Sequence, residues 1–393
     1  MKPSILVLNS GSSSIKFSLI DLEDRSVLIS GLAEKLGLKG ASLSVKADGK
    51  KENFKLGLTD HAGAMKQILD AIEAHHLSER ISAVGHRVVH GGEQFKAATI
   101  IDEEVIKAIE RCVPFAPLHN PANLMGITAA RKNAPQLPQV AVFDTAFHQS
   151  LPEFAYLYAV PKKLYQEHGV RRYGFHGTSH RYVTQEAARL LNIKLEDSAF
   201  ISAHLGNGAS AAAVLNGKSV DTTMGFTPLE GLVMGTRSGD IDPGLLPYIA
   251  DSLKMNIKEV INILNTKSGL LGISELSSDV RELQDAAAGG HAGAALAIDV
   301  FVHRLAKYIG ALTVSLPRID ALIFTGGIGE NSHLIREKVL LRLHVLGYQT
   351  DPALNQTMVG GKQGIITTPK STCAMVINTN EELMIALDTS TLI

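Results

Sequence analysis

The sequence predicts an α/β protein built from two related halves. A pattern of apolar run, turn of small residues and second apolar run occurs at Ser4 to Asp21 and again at Phe200 to Leu215. Two hairpins of one design, about half a chain apart, indicate an internal duplication. The chain has 393 residues, which is more than one hydrophobic core usually supports, so two domains are expected.

The turn of the first hairpin runs from Asn9 to Ser14, and Lys16 follows on the second strand. Because the turn has no bulky side chain, its backbone N–H groups and hydroxyls can approach an anion such as phosphate. An ordinary polar turn has the same composition, so the first hairpin alone leaves both interpretations open. The second turn, Gly206 to Ser210, favours a phosphate-facing turn in each half.

A third element fits the same scheme. Ala321 to Thr325 predicts a short buried strand, Gly326 to Ser332 a glycine-rich turn, and His333 to Leu341 a helix. A strand, a glycine turn and a helix N-terminus are a common arrangement in nucleotide-binding proteins, because the unpaired N–H groups of the first helical turn face the ligand.

Composition narrows the class of partner. Lys and Arg number 38 against 39 Asp and Glu, with no basic block and no Trp, so nucleic acid is not an expected partner. The first apolar run ends at Leu8, too early for a signal-peptide core, and the longest uncharged stretch, 198–217, reads as the second hairpin and not as a membrane span. Cys112 and Cys373 match no metal or redox spacing, which indicates a reducing, cytoplasmic setting.

The first half continues as alternating strands and helices. Alternation and turn residues predict the strands, and apolar spacing with an Asp cap predicts the first helix. The lysines at positions 46, 50, 51 and 55 indicate a solvated edge hairpin. The predicted elements are a strand at 26–32, a hairpin at 41–55 around Asp48-Gly49, a helix from Thr59-Asp60 to about His75, a strand at 81–84, helices at 103–111 and 121–132, and a strand at 139–143.

Two residues of this half are candidate site residues by position. Arg87 lies among histidines and glycines after the predicted strand 81–84, and Asp144 follows the strand 139–143 directly. Functional residues often lie at the C-terminal ends of strands, so the two could face one rim. The alternative for Arg87 is a surface ion pair.

A domain boundary is expected near residue 150, where the composition turns to Tyr, Pro and Lys. Ser179, at the end of the motif 171–180, is expected to cap a helix at 182–191. The later predictions are helices at 244–252, 257–265 and 290–312, a strand at 373–377, and a helix that starts at Asn380-Glu381-Glu382.

Residues 221–243 form a long segment with neither helical nor strand periodicity. A loop of this length in a compact protein is usually functional or disordered, and its interspersed apolar residues argue against disorder. Arg237 is its only positive charge. Familiar hydrolase and metalloprotease motifs are missing, and Gly217-Lys218-Ser219 is not a P-loop because Ala212 stands where that motif needs glycine.

Eight motifs in order along the chain resemble the acetate kinase family: VLNSGSSSIKF, GHRVVHGGE, FDTAFHQ, RRYGFHGTSH, HLGNGAS, TPLEGLVMGTRSGDIDP, FTGGIGENS and NTNEEL. The resemblance implies the duplicated ribonuclease-H-like fold of actin, sugar kinases and chaperone ATPases, with two lobes around a nucleotide cleft. It implies an N-terminal lobe of 1–150 joined by a helix at about 380–393, and a C-terminal lobe of 151–379. It also implies a cytoplasmic homodimer that transfers a phosphoryl group reversibly between ATP and acetate, with Mg²⁺, or Mn²⁺ as an alternative.

The same resemblance implies roles for particular residues. Asn9 and Glu381 match the metal site, and Ser12, Ser14 and Lys16 lie near the phosphates. Arg87 and Arg237 match the substrate-carboxylate and transition-state arginines, His176 the transition-state stabiliser, and Asp144 the essential acid. The acetate methyl pocket corresponds to Val89, Leu118, Phe175 and Pro228. The ATP-binding segments correspond to His204, Leu205, Gly206, Asn207 and Gly208, to Asp279, Val280 and Arg281, and to Gly327, Ile328, Gly329, Glu330 and Asn331.

The chemistry is consistent with such a set, because two anionic reactants need positive charge in place before they react. We hypothesise that Asp144 orients an arginine or a metal-bound water and is not a general base, since a carboxylate nucleophile has no proton to lose at neutral pH. Asp144→Asn with unchanged affinity for Mg²⁺ and acetate and a loss confined to a pH-dependent step would contradict this hypothesis. Two alternatives stay open: propionate kinase, because a tight apolar pocket discriminates one methylene only partially, and an actin-like or chaperone-like ATPase acting on protein partners.

Overall fold

The computed structural model describes residues 3–393, which form two compact units. One unit ends at Gln149 and also includes Asn380–Ile393, and the other is Ser150–Thr379. No helix within residues 3–393 combines the length and the apolar character that a bilayer crossing requires.

The elements of the first unit, in chain order, are β1 (Ser4–Gly11), β2 (Ser14–Asp21), β3 (Val27–Glu34), β4 (Ala41–Ala47), β5 (Lys50–Gly57), α1 (His61–Ala74), β6 (Ile81–Val88), β7 (Thr99–Ile100), α2 (Glu103–Arg111), α3 (Asn120–Asn133) and β8 (Gln139–Phe143).

The second unit then contains α4 (Glu153–Tyr156), α5 (Lys162–His168), α6 (Gly177–Leu190), β9 (Ala199–Leu205), β10 (Ala209–Leu215), β11 (Lys218–Thr222), α7 (Leu245–Leu253), α8 (Ile257–Thr266), α9 (Gly269–Ser274), α10 (Val280–Ala288), α11 (Ala292–Leu312), β12 (Ala321–Thr325), α12 (Gly326–Asn331), α13 (His333–Arg342), α14 (Pro352–Thr357), β13 (Gly364–Ile365) and β14 (Ala374–Val376). The last helix, α15 (Glu381–Ser390), belongs to the first unit.

Six strands of the first sheet have the same arrangement as the six strands of the second. The first has the order β5-β4-β3-β2-β1-β6-β8-β7 and the second β11-β10-β9-β12-β14-β13. In each, a hairpin is followed across the sheet by two parallel pairings and then by a short antiparallel edge strand. The duplication predicted from the two hairpins is therefore confirmed in the strand order.

Burial of one face of each sheet explains the apolar patterns. In the first unit, Leu6, Leu8 and Ile15 are buried with Ile68 of α1 and Ala130 of α3. In the second unit, the α6 residues Val183 and Ala187 are buried with Phe200 and Ile323 of the sheet. The exposed lysines of β4 and β5 lie at the free edge of the first sheet, as predicted.

Three local predictions are wrong. The strand predicted at 81–84 continues to Val88, so Arg87 is a strand residue. Ser179 does not cap a helix, because α6 already begins at Gly177 and the Ser179 hydroxyl is used in a side-chain hydrogen bond. The predicted glycine turn after β12 is helical from Gly326 to Asn331.

The helical glycine segment has specific local causes. Gly326 has a φ of 75°, and a Cβ there would lie 2.8 Å from the backbone of Leu205, so only glycine fits at the start of α12. The Asn331 amide donates to the Gly327 carbonyl at 3.0 Å, and the Gly326 N–H donates to the Glu330 carboxylate at 2.9 Å. These bonds close a helical turn that glycine-rich composition alone disfavours.

Candidate active site

Strand register in the first unit places three of the predicted site residues side by side. Asn9 pairs with Lys16 across β1 and β2, and the parallel pairing of Leu8 with His86 brings Arg87 next to this pair. A small pocket lies over them, and its lining is Val7, Asn9, Lys16, Phe17, Arg87, Glu381, Glu382 and Ile385. Strands β1, β2 and β6 and the N-terminus of α15 thus assemble one polar cluster.

Arg87 and Asp144 form an ion pair of several hydrogen bonds in this cluster. The Nε and Nη2 atoms of Arg87 donate to the Asp144 carboxylate at 3.1 and 2.7 Å, and the Asp144 side chain is almost fully buried. Burial disfavours the charged guanidinium, but Asp144 and Glu381 outweigh it, so the pKa of Arg87 lies above its ordinary value. Burial also raises the pKa of the Asp144 carboxyl, and the Arg87 guanidinium opposes that rise.

Two carboxylates of α15 complete the cluster. Glu381 Oε2 lies 4.0 Å from Arg87 Nε, and Glu382 forms a short ion pair with the Lys16 ammonium. Burial acts to raise the pKa of Glu382, but the Lys16 ammonium prevails and holds it below the ordinary value. No role was predicted for Glu382, although it directly follows Glu381.

The hairpin turn between β1 and β2 consists of Ser12 and Ser13 alone; Ser12 is exposed and Ser14 half-buried. Asn123 of α3 contacts the end of β1 that leads into this turn, because its amide nitrogen donates to the Ser10 carbonyl at 3.0 Å. The amide oxygen of Asn123 accepts the Val89 N–H, also at 3.0 Å. One side chain therefore links the turn to the strand end that carries Arg87, a connection that no sequence motif indicated.

The four residues predicted for an apolar pocket differ in exposure. Val89 is buried in the first unit, whereas Leu118 in the same unit is 63% exposed. In the second unit, Phe175 is buried, and the half-buried Pro228 accepts a 3.4 Å hydrogen bond from Arg237 through its carbonyl oxygen.

In the second unit, His176 and Arg237 converge on Gly208. A Cβ on Gly208 would lie 3.5 Å from Nη1 of Arg237 and 3.5 Å from Nε2 of His176, so both nitrogens border the space beside this glycine. No carboxylate lies within ion-pair distance of Arg237 anywhere in 3–393, and burial lowers the pKa of its guanidinium. A half-buried cation without an anionic partner in the protein is able to pair with a bound anion.

His176 is held in an uncommon conformation. It precedes α6 with a φ of 55°, a left-handed value that costs free energy for a residue other than glycine. Its Nδ1 lies 3.0 Å from the Ser210 hydroxyl, and its ring stacks on His204 at 4.3 Å between centroids. His204 in turn lies 2.8 Å from the Ser179 hydroxyl. Backbone strain and ring contacts together fix the imidazole beside Gly208.

The loop that carries Arg237 is ordered by half-buried polar contacts. Glu230 accepts from Arg172 at 2.7 Å and, in a short hydrogen bond, from Tyr158. The Asp240 carboxylate accepts the Gly231 N–H at 2.7 Å and the Tyr308 hydroxyl. Residues 223–243 are thus irregular, as predicted, whereas 221 and 222 end β11. The acidic side chains of Glu230 and Asp240 hold the loop in place.

A pocket of about 590 Å³ lies next to this centre, within the second unit. Eight predicted nucleotide residues line it: Gly206, Asn207, Asp279, Val280, Arg281, Gly327, Ile328 and Asn331. Three further residues, Ser278, Gln284 and Ser332, line it without having been predicted. The turn that supplies Gly206 and Asn207 to this pocket also supplies Gly208 to the space bordered by His176 and Arg237.

The other predicted nucleotide residues support this pocket and do not line it. Leu205 and Gly329 are buried, and Glu330 turns its carboxylate back onto the N–H groups of Gly326 and Thr379. At the pocket edge, the Arg281 side chain and backbone N–H bind the Asp279 carboxylate and lower its pKa to about 2.

The polar cluster of the first unit offers oxygen donors for a divalent metal ion. The described residues contain no cluster of three His, Cys, Asp or Glu side chains suited to a metal ion. Asn9, Glu381 and Glu382 nevertheless bring an amide and two carboxylates to one pocket. Mg²⁺ commonly takes one or two carboxylates and completes its shell with water and substrate phosphates, so this donor set fits Mg²⁺.

Comparisons with solved structures give the class of protein. A propionate kinase from Francisella tularensis superposes with a TM-score of 0.96 at 45% identity, with all of both chains covered. An acetate kinase from Porphyromonas gingivalis gives a TM-score of 0.94 at 45% identity, with 99% of each chain covered. The duplicated ribonuclease-H-like α/β fold expected from the resemblance is confirmed, and the chain is a phosphotransferase.

Sequence comparison gives the particular family. The model of the Acetokinase family matches residues 4–387. An acetate kinase from Chromobacterium violaceum is 55% identical over 392 residues, covering 100% of this chain and 99% of that protein. An acetate kinase from a Shewanella species is 56% identical, with 99% and 98% covered. The chain belongs to the Acetokinase family.

Proposed function

We propose that this protein is an acetate kinase that transfers the γ-phosphoryl group of ATP reversibly to the carboxylate of acetate. The observation that carries the proposal is the Arg237 guanidinium, which has no carboxylate partner and borders Gly208 together with His176. The adjoining pocket, lined by the same turn, has the size and the glycine-rich lining of a nucleotide site. A phosphoryl group at the end of that pocket would meet two nitrogen donors.

In the proposed reaction, an acetate oxygen forms a bond to the γ-phosphorus while the bond from that phosphorus to the β,γ-bridging oxygen breaks. The electron pair of the broken bond leaves on ADP, and no proton moves because acetate is already ionised. Arg237 and His176 stabilise the equatorial oxygens, where negative charge is spread in the transition state. Arg87 holds the acetate carboxylate, and Asp144 holds Arg87.

The remaining assignments follow the same division of roles. Ser12, Ser14 and Lys16 are proposed to contact phosphates, and Asn9 and Glu381 to hold Mg²⁺, or Mn²⁺ as an alternative. The metal supplies positive charge that neutralises phosphate oxygens. Val89, Leu118, Phe175 and Pro228 are proposed to contact the acetate methyl group. We also propose two lobes, 1–150 with 380–393 and 151–379, which the compact units support.

Assembly and location are proposed on the family resemblance and on surface features. Exposed apolar side chains on consecutive helices α7 and α8 support a homodimer: Leu245, Tyr248, Leu253, Ile257 and Ile261. Light scattering of the purified protein measures its mass against the 42.0 kDa chain. The free thiols of Cys112 and Cys373 support a reducing, cytoplasmic setting.

The test is hydroxamate formation from ATP and Mg²⁺ with acetate, propionate and butyrate in parallel, with Arg237→Ala as control. Activity highest with acetate and lost in the variant supports the proposal. Activity highest with propionate supports the second candidate, a propionate kinase, which the likeness to the Francisella enzyme favours. ATP hydrolysis that ignores all three acids would support an ATPase acting on protein partners.

A further inference from the structure

Four buried or half-buried side chains form a hydrogen-bonded series that begins at His176. Its Nδ1 lies 3.0 Å from Ser210 Oγ, and the same oxygen lies 2.7 Å from Nε2 of His180. The other ring nitrogen of His180, Nδ1, lies 2.6 Å from Ser202 Oγ. Ser202, Ser210 and His180 are all fully buried, so water does not compete for these bonds.

Ser202, at the end of this series, determines which atom donates in each of its hydrogen bonds. The Ser202 hydroxyl has no hydrogen-bond partner in the described residues other than His180 Nδ1. If Ser202 accepted from His180, its own buried hydroxyl proton would be left without an acceptor, which is unfavourable. Ser202 therefore donates to Nδ1, and a neutral His180 carries its proton on Nε2.

The donors and acceptors of the two remaining hydrogen bonds follow from this assignment. Nε2–H of His180 donates to Ser210, whose single hydroxyl proton is free to donate to Nδ1 of His176. A neutral His176 then carries its proton on Nε2, the atom that borders the space beside Gly208.

We propose that His180 is a positioning residue that, with Ser202 and Ser210, fixes the tautomer of His176 so that an Nε2–H donor faces the phosphoryl position. The inference about role rests on the proposed function, whereas the tautomer itself does not. In the opposite tautomer, a lone pair would face the oxygens on which negative charge develops, and it would repel them. The relay of hydrogen bonds from Ser202 through His180 and Ser210 thus determines whether His176 helps or hinders phosphoryl transfer.

The sharpest variant is Ser202→Ala, which removes the hydroxyl that donates to His180 and makes no hydrogen bond with His176 itself. We expect kcat to fall on the order of 10-fold, with the KM values for ATP and acetate within about 2-fold of wild type, because a donor used in the transition state is lost. Ser202→Thr keeps a hydroxyl and should restore kcat to within about 2-fold of wild type.

Thr184→Val is the matched control. Thr184 is buried on the same helix as His180, and its hydroxyl donates only to the His180 and Arg181 carbonyls of its own helix. Its kcat should stay at the wild-type value. Wild-type kcat in Ser202→Ala, or an equal loss in Thr184→Val, would overturn the proposal.

A spectroscopic measurement on the wild-type chain does not depend on any variant's activity. In the protein labelled with ¹⁵N-histidine and held at about pH 8, where an ordinary imidazole is neutral, His176 should show a protonated Nε2 and an unprotonated Nδ1. His176→Gln assigns the resonance. An unprotonated Nε2 of His176, or a His176 ring that stays doubly protonated, would contradict the proposed relay. Failure of the proposed function is distinct, because it appears as wild-type ATP turnover that ignores acetate.

Discussion

Asp144 accepts hydrogen bonds from Nε and Nη2 of Arg87, so the carboxylate occupies one edge of the guanidinium and fixes its plane. Nη1 donates to no other group in the described residues and remains available to a ligand. A planar cation held by one edge can present its other edge to a second carboxylate without rearrangement. This geometry favours orientation of Arg87 as the role of Asp144.

Asp144→Asn should therefore impair acetate binding through Arg87. An amide offers one acceptor and no charge, so Arg87 loses its fixed plane, and we expect kcat/KM for acetate to fall by about 100-fold. ADP binding measured by titration calorimetry should be unchanged, because Asp144 does not line the 590 Å³ pocket.

The control is Asp21→Asn. This variant breaks the ion pair between the buried carboxylate of Asp21 and Arg80 in the same unit. This variant should lose stability and keep its acetate kinetics. A wild-type KM for acetate in Asp144→Asn, with a loss seen only as a shifted pH profile, would instead identify Asp144 as a proton acceptor.

Arg237→Gln should separate activity from stability. Removing a cation that stabilises transferring phosphoryl oxygens should lower kcat by about 1,000-fold. Because the guanidinium is half-buried and lacks an anionic partner, its removal should leave Tm at or above the wild-type value. Thermal melts and the hydroxamate assay on one preparation give both quantities.

Arg172→Gln is the contrasting variant in the same unit. Arg172 pairs with Glu230 and donates to the carbonyls of Thr222, Thr223 and Met224, so its loss should lower Tm by several degrees, or about 2 to 4 °C for each kcal/mol in a domain of this size. If Tm fell equally in both variants, the Arg237 guanidinium would have to be paired with a negative charge in the native state.

The sequence predicted those features that depend on local patterns. Both hairpins, the strand at 321–325 and the pocket residues of the two glycine turns were found because alternation and glycine turns report directly on strands and close backbone approach. Asp279, Val280 and Arg281 were expected from the family resemblance alone. The helix Gly326–Asn331 was not found, because side-chain hydrogen bonds within the segment and from Arg336 offset the low helix propensity of glycine there.

The supporting residues lay beyond sequence reasoning for a related reason. His180, Ser202 and Ser210 act through one another across 30 residues, and nothing in their spacing shows that their side chains meet. Glu330 belongs to a recognisable motif, but the direction of its carboxylate depends on Thr379. Motifs identify segments, and only packing decides which side chains face a ligand.

Arg336→Lys should weaken nucleotide binding selectively. Arg336 is fully buried. Its guanidinium donates to the backbone carbonyls of Gly329, Glu330, Asn355 and Met358 and to the Asn355 side chain. These bonds fix the end of α12 behind the pocket. Lysine can replace few of these bonds. We expect KM for ATP to rise about 10-fold with KM for acetate unchanged. An equal rise in both constants would indicate general loss of structure.

Val89→Ala should relax the preference for acetate. Val89 is buried, and removal of two methyl groups creates room for one extra methylene. The ratio of kcat/KM for propionate over acetate should rise by about 10-fold, within the range of 1 to 3 kcal/mol that one methylene is worth in an apolar pocket. Val105→Ala removes the same two methyl groups from a buried position of α2 in the same unit and is the comparison. An equal shift there would remove the special role of Val89.

His86 should make the native state less stable in mild acid. Its buried ring hydrogen-bonds Gln139 at 2.7 Å, and burial lowers its pKa to about 4. Between about pH 4 and the unfolded value near 6.5, the unfolded state binds more protons, so stability rises with pH and is lost as pH falls, by at most about 3 kcal/mol. His86→Gln keeps a donor for Gln139 and cannot titrate, so its Tm should fall less than that of wild type between about pH 7 and pH 5. Parallel Tm curves for the two proteins would show that His86 is not the group responsible.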